Sequence, residues 1–361
     1  KCLLVQLEQF STPHDIFSDY AYFSSFSDSW VAHARDYVDM IVDRFTLDRQ
    51  SKVVEIASND GYLLQHFAAR SMPVLGVEPA ANVAETARKK GINTTVAFFG
   101  EKTALDLAGQ GWNADLIIGN NVLAHVPDVN DFVRGLKVLL KPTGLITLEF
   151  PHLVQLMQYN QFDTIYHEHF SYFSFLAVEQ VFARHELRLF DVEKLSTHGG
   201  SLRIYACHYD DTSKPILERA NELKAQETAA GFDCLEHYLS FGPRVEATKR
   251  NLLSFLIAAK QEGKRVVGYG APAKGNTLLN YCGIRTDLID YTVDRSPHKQ
   301  GHFLPGVHIP IYEPERISRT RPDYLLILPW NIREEVMGQM HYVREWGGKF
   351  VVPIPEVQVH S

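Results

Sequence analysis

Nine consecutive residues, YHEHFSYFS from Tyr166 to Ser174, bring two imidazoles, a carboxylate and several aromatics together. Histidine titrates near neutral pH, a carboxylate beside it can fix its tautomer, and tyrosine can donate to an oxygen that gains charge. Together these groups suit proton removal from carbon. A metal site and the packed edge of a core remain rival readings. H-E-H lacks the i, i+4 histidines of H-E-x-x-H, and no third ligand stands out. In an extended chain Tyr166 and Glu168 would share one face, and His167 and His169 the other. For Glu168 and His169 to meet the same substrate, this segment must bend.

Two strand-loop-helix patterns supply context. In VVEIASNDGYLL a predicted strand ends near Glu55 and turns through Ser58, Asn59, Asp60 and Gly61 into a helix. Glycine there permits close backbone approach, and the helix start offers free N–H groups. The glycines of G-x-G-x-x-G are missing, so a pyrophosphate fits poorly and a nicotinamide-dependent oxidoreductase is disfavoured. S-adenosylmethionine has no phosphate; it has a cationic amino-acid end and a ribose, which call for acidic and amide partners. Glu78 in GVEP, and Asn120 and Asn121 in DLIIGNN, end later strands on the same carboxyl edge. As isolated features, these residues would be ordinary turn formers and helix caps.

The second pattern, VVGYGAPAKGNT, resembles an anion-binding turn more closely. Gly268, Gly270 and Gly275 allow tight turns, Lys274 adds a charge, and Asn276 and Thr277 follow in a helix. Its order is not G-x-x-x-x-G-K-[ST], so an ATP-hydrolysing loop is not expected. Asp294, Trp330 and Asn331 end later apolar runs and are candidates to complete that pocket.

The elements that must position these groups read as α/β. Short apolar runs alternate with amphipathic stretches from KVVEIASNDG onward, as in a parallel sheet covered by helices. The expected divisions are an N-terminal segment and helix covering the active site (1–50), a Rossmann-like domain (51–212), a helical connector (213–262) and a smaller α/β domain (263–361). A length of 361 residues agrees with more than one core. A net charge of −7 without a basic run argues against nucleic acid as a partner. No apolar stretch reaches the roughly 20 residues of a membrane span, so no membrane partner and a cytoplasmic location are expected. The four scattered cysteines predict neither a disulfide framework nor a complete zinc site. The opening KCLLVQL has no Met, as expected of a chain that lacks its N-terminal part.

The motifs VVEIASNDGYLL, GVEPAANVAETARKKG, NNVLAHVPD, YHEHFSYFS, HGGSLR and VVGYGAPAKGNTLLNYCGI occur in this order. Their series resembles the S-adenosylmethionine-dependent sugar C-methyltransferases of deoxysugar biosynthesis over nearly the whole chain. The resemblance implies a class I methyltransferase domain, S-adenosylmethionine as cofactor, S-adenosylhomocysteine as product, and a nucleotide-linked 4-keto sugar as small-molecule partner. It carries the cofactor site onto Glu55, Ala57, Asn59, Gly61, Tyr62, Leu63, Glu78, Pro79, Asn82, Asn120 and Asn121. It makes His169 the base, with Glu168, Tyr166, His125 and Tyr20 as catalytic companions. Tyr22, His198, Gly199, Gly200 and Arg203 are expected at the sugar. Gly270, Lys274, Asn276 and Thr277 are expected at the nucleotide's pyrophosphate. The family carries an N-terminal zinc module, of which Cys2 matches the last ligand, so zinc is expected only if the full-length protein has that module. A monomer is expected rather than an oligomer. The rival from another class is a sugar-nucleotide-binding module without catalysis, which intact Glu78, Tyr166, Glu168 and His169 argue against.

Overall fold

The computed structural model describes residues 3–18 and 23–361. The chain divides into two compact units. One holds the residues up to Leu153 together with His167–Asp233, and the other holds Val154–Tyr166 with Cys234–Ser361. The expected division at 212 and 263 therefore shifts, and a short excursion from the middle of the first domain joins the second. The expected connector is shared out. Its helix Glu218–Ala229 buries Ala220, Leu223 and Glu227 in the first unit, whereas Phe241–Gln261 buries Leu252 and Leu256 in the second core.

The first unit is built on β2 (Val53–Ile56), β3 (Val74–Val77), β4 (Thr94–Thr95), β5 (Ala114–Asn120), β6 (Leu140–Pro151), β8 (Leu187–Leu195) and β9 (Ser201–His208). A small ladder joins β1 (Val5–Gln6) to β7 (Ser171–Tyr172). The large sheet runs β4-β3-β2-β5-β6-β9-β8, parallel as far as β6 and antiparallel around β9. Strands β2 and β3 are buried at every position, as continuous apolar runs require when helices cover both faces. Strand order reverses between β2 and β5, and such a switch point opens a crevice at the carboxyl ends of the strands.

The helix Asp28–Phe45 begins where the Ser27 hydroxyl accepts from the Trp30 N–H, and it stops at Thr46, whose φ is 52°. Ala34, Tyr37, Val38 and Ile41 form its buried stripe. Trp30 and His33 on the same helix contact residues at the strand ends described below.

The second unit repeats the architecture on a smaller scale. Its strands are β10 (Val266–Tyr269), β11 (Thr292–Val293), β12 (Ile311–Tyr312), β13 (Tyr324–Ile327), β14 (Lys349–Val352) and β15 (Gln358–His360). They are ordered β12-β11-β10-β13-β14-β15, all parallel except β15. Here the order reverses between β10 and β13. Among the described residues no helix is long and apolar enough to cross a membrane.

Candidate active site

The turn after β2 is made by left-handed residues, with φ of 54° at Ala57, 48° at Asn59 and 76° at Gly61. A Cβ on Gly61 would lie 2.9 Å from Ile92 Cγ1, so glycine is required both by conformation and by space. The turn lies beside three carboxylates. Glu78, at the end of β3, accepts from the N–H groups of Asn59 and Ala80, both at 2.9 Å. Asp60 takes the Lys90 ammonium at 2.9 Å and the Ser25 hydroxyl.

Glu55 is different. It is 1% exposed, and neither carboxylate oxygen has a hydrogen-bond partner among the described residues. Burial, reinforced by the nearby Glu78 and Asp60, pushes its carboxyl well above the ordinary value. The Asn121 Oδ1, at a residue with φ of 53°, is likewise buried without a partner. A protein-only arrangement that leaves buried acceptors unpaired is costly, and a ligand rich in donors relieves that cost. The ammonium and ribose hydroxyls of S-adenosylmethionine are such donors, so the residues present fit it.

The other expected cofactor residues divide by environment. Tyr62 is buried, hydrogen-bonds through its side chain with Asn120 and Trp30, and lies with its ring 6.1 Å from that of Trp30. Leu63 is fully buried in the apolar cluster and packs the fold. The Asn59 carboxamide accepts from the Ser24 N–H at 2.8 Å, so it ties the N-terminal segment to the turn. Pro79 is half-buried at the entry to the helix Ala81–Lys89, and Asn82 is exposed in its first turn.

The YHEH segment is bent, as the face argument requires: Tyr166 to Glu168 form a bend and turn before β7. Two polar links fasten it to the short helix Leu123–His125 beyond β5. The Phe170 N–H donates to the Ala124 carbonyl at 2.8 Å, and His125 Nδ1 lies 2.8 Å from the Glu168 carbonyl. That second link makes Nδ1 the protonated nitrogen of His125, because a carbonyl only accepts. The rings of His125 and His169 stand 4.8 Å apart, and Phe17 approaches His125 edge-on at 5.5 Å. Burial, then the adjacent His169, drives the His125 pKa down to about 3, so it is neutral at physiological pH. His198 also disfavours its charge, which brings a third imidazole into the group. Burial raises the Glu168 carboxyl, with His167 opposing.

His198 has φ of 54° and leads into Gly199 and Gly200, whose φ values are 90° and 117°. Its ring meets Trp30 edge-on at 5.1 Å. Arg203, expected at the sugar, is instead committed to the protein. It is 6% exposed, with Nη2 3.1 Å from Glu149 and Nη1 3.0 Å from Glu193, and its guanidinium lies 4.7 Å above Tyr37. Tyr166 falls in the second unit by its contacts. Tyr20, Tyr22 and Cys2 lie outside the described residues.

A buried carboxylate escaped the sequence reading. Glu149, near the end of β6, has a fully buried side chain that takes His33 Nε2 at 3.0 Å, Arg203 and the Thr197 hydroxyl at 2.8 Å. Burial alone would raise its pKa, but these partners hold it below the ordinary value. His33 in turn stacks on Trp30 with ring centres 5.0 Å apart. The signal was present, since LEF puts an acidic residue near the end of a strand just as VEI does, but its partners come from distant elements.

In the second unit the glycine loop has fewer free donors than its sequence suggests. The Gly270 N–H goes to the Val293 carbonyl at 2.6 Å, and the Ala271 N–H to Asp294 Oδ2 at 2.7 Å. Thr277 donates its hydroxyl back to the Ala273 carbonyl at 3.2 Å, and the Asn276 N–H goes to Pro272 at 3.1 Å. Any anion is therefore left with the first turn of the helix Ala273–Cys282 and with Lys274. That ammonium lies 4.6 Å over the Trp330 ring and 2.9 Å from Asn331 Oδ1.

A methyltransferase-domain model matches residues 30–192, and a model described as the C-methyltransferase C-terminal domain matches 196–355. With the fold and the cofactor site, these matches define an S-adenosylmethionine-dependent methyltransferase. C-methyltransferase NovU of Streptomyces niveus is 38% identical over 363 aligned positions, covering 100% of this chain and 86% of NovU. The chain belongs to that C-methyltransferase family. A ubiquinone biosynthesis O-methyltransferase of Chelativorans sp. (strain BNC1) is 30% identical over 96 residues, 26% of this chain and 38% of that protein. Among solved structures, magnesium protoporphyrin IX methyltransferase of Synechocystis PCC 6803 with bound SAH aligns at a TM-score of 0.41 and 16% identity, covering 53% of this chain and 90% of that one.

Proposed function

We propose that this enzyme methylates a nucleotide-linked 4-keto deoxysugar at the carbon beside the ketone, through an enolate. The observation that carries the reading is the paired imidazoles: a neutral His125, fixed through Nδ1 to the Glu168 carbonyl, stands beside His169. Carbon adjacent to a carbonyl becomes nucleophilic only when it loses its proton, and His169 is the group we assign to take it. Glu168 and Tyr166 accompany it, and Tyr20 is assigned by resemblance. The neutral His125 keeps a second positive charge away from His169, and its Nε2 is an acceptor within the same group.

The cofactor supplies a methyl group made electrophilic by its sulfonium. Glu55, Glu78, Asn120 and Asn121 bind and orient its polar ends. Held by these residues, the donor would present its methyl to the enolate carbon, and on transfer the bonding pair would remain on sulfur as S-adenosylhomocysteine. The proton on His169 then passes to solvent. His198, Gly199 and Gly200, with Tyr22, are assigned to the sugar. Lys274 and the N–H groups opening the helix Ala273–Cys282 are assigned to the pyrophosphate, with Gly270, Asn276 and Thr277 shaping that turn. Arg203 is assigned to holding Glu149. We take the enzyme to work as a monomer in the cytoplasm, a point for sedimentation and fractionation to check.

Incubation of a nucleoside-diphosphate 4-keto-6-deoxysugar with ¹³C-methyl-labelled cofactor in deuterated water tests this reading. Label on a ring carbon, with deuterium entering that carbon when S-adenosylhomocysteine replaces the cofactor, is the expected result. His169→Asn should suppress both by roughly a hundredfold or more, the usual contribution of a general base. Label on oxygen or nitrogen would refute it.

A further inference from the structure

The segment Val154–Tyr166 leaves the first unit's chain, belongs by its contacts to the second unit, and is followed at once by His167 in the first. Apolar packing already grips it. Phe162 is 4% exposed in the second core, with its ring 5.2 Å from that of Tyr281, and Asn160 Nδ2 donates to the Thr248 hydroxyl at 2.5 Å. A buried carboxylate is generally harder to maintain than an apolar residue of its size. Yet Asp163 is 0% exposed. Its Oδ2 accepts from the Trp330 indole at 2.7 Å, and Oδ1 is buried without a well-formed hydrogen bond, with the N–H groups of Asp163 and Thr164 turned toward the carboxylate.

Its counter-charge is Lys274, the cation over the same indole. Lys274 opens the helix after the second glycine loop, so one ammonium serves both the loop assigned to an anion and the carboxylate at the root of the YHEH segment. Asp163 precedes Glu168 by only five positions. A rigid indole donating to a carboxylate fixes direction as well as distance, which apolar contacts do not.

We propose that Asp163, held by the Trp330 indole, is a positioning residue that sets where the Tyr166–His169 segment departs from the second unit. This rests on the assignment of His169 as base. Asp163→Leu removes the carboxylate at similar volume, and Trp330→Phe removes only the indole donor. Both variants should show about tenfold faster amide hydrogen exchange in the peptide 164–170, with β10 and β13 unchanged. In both, kcat should fall about tenfold at unaltered KM for the cofactor, and the double variant should be no slower than the slower single one. Asp163→Leu should melt lower than the wild type, because it leaves the buried Trp330 N–H without its acceptor.

A lower melting temperature with wild-type exchange and kcat would make Asp163 merely structural and overturn the proposal. Raised exchange with unchanged kcat would overturn it as well. If Asp163→Leu does not fold, Trp330→Phe decides alone. If the wild type yields no carbon-methylated product, the assignment of His169 falls, while exchange in 164–170 still decides the anchor: raised in the variants it stands, unchanged it is refuted.

Discussion

The turn after β2 and the turn after β10 follow the same plan, strand to glycine-containing loop to helix at a point where strand order reverses, but they are finished with opposite electrostatics. Around β2 that strand and its neighbours supply acceptors, and those of Glu55 and Asn121 have no partner among the described residues. Around β10 the neighbouring strand end supplies Asp294, which closes the loop by taking the Ala271 N–H. The first turn is thereby ready for a cationic, hydroxyl-bearing ligand. The second keeps its donors for an anion only at the helix start, beside Lys274. The backbone path is common to both, and the side chains at adjoining strand ends decide what each can bind.

The largest test of this contrast is in acid stability, where a buried group from each unit pulls in opposite directions. His125 falls from 6.5 to about 3 on folding, so the unfolded chain binds a proton that the native one refuses. Stability should fall as pH drops from 6.5 toward 3, by at most about 1.4 kcal/mol per pH unit. Asp163 rises from 3.8 to about 7, chiefly by burial, so its contribution is complete below 3.8 and is lost as pH rises through 7. Urea unfolding against pH should show His125→Gln flattening the acid limb and Asp163→Leu flattening the neutral one. The contrast breaks if either variant keeps the wild-type profile.

Next in size is ligand choice. Glu55→Gln should weaken cofactor binding about tenfold to a hundredfold, some 1.4 to 2.7 kcal/mol, and leave nucleoside-diphosphate binding unchanged. Lys274→Met should do the reverse. Calorimetric titration of both ligands into both variants measures the cross, and equal losses everywhere would show that the turns are not specialised.

Smaller still are the backbone effects. Gly61→Ala forces a side chain into φ of 76°, and Gly270→Ala into φ of 90° with its Cβ 2.7 Å from Pro329 Cδ. Each should cost about 1 to 3 kcal/mol in denaturant unfolding. Only the first should also reduce affinity for the cofactor. Smallest is Ser27→Ala, which removes the cap of Asp28–Phe45 and should cost about 1 kcal/mol.

The parallel sheets were legible because buried strands are unbroken apolar runs and their carboxyl ends carry conspicuous polar residues, as with Glu55, Glu78, Asn120 and Asn121. The need for a bend in YHEH followed from the two-residue period of an extended chain. What stayed hidden depends on partners remote in sequence. Arg203 looked like a sugar ligand because nothing in HGGSLR reveals Glu149 and Glu193 beside it. Asp163 drew no notice in the sequence because its indole partner comes 167 positions later. The free donors of the second loop were overcounted for the same reason, since Asp294 lies one strand away.

The excursion of Val154–Tyr166 also bears on how such enzymes can be recombined. A chimera that exchanges only the C-terminal stretch from Cys234 onward would pair a foreign core with the resident Phe162 and Asp163, leaving a mismatched plug in the new host. Grafts intended to replace the second unit should therefore transfer these thirteen residues along with the tail.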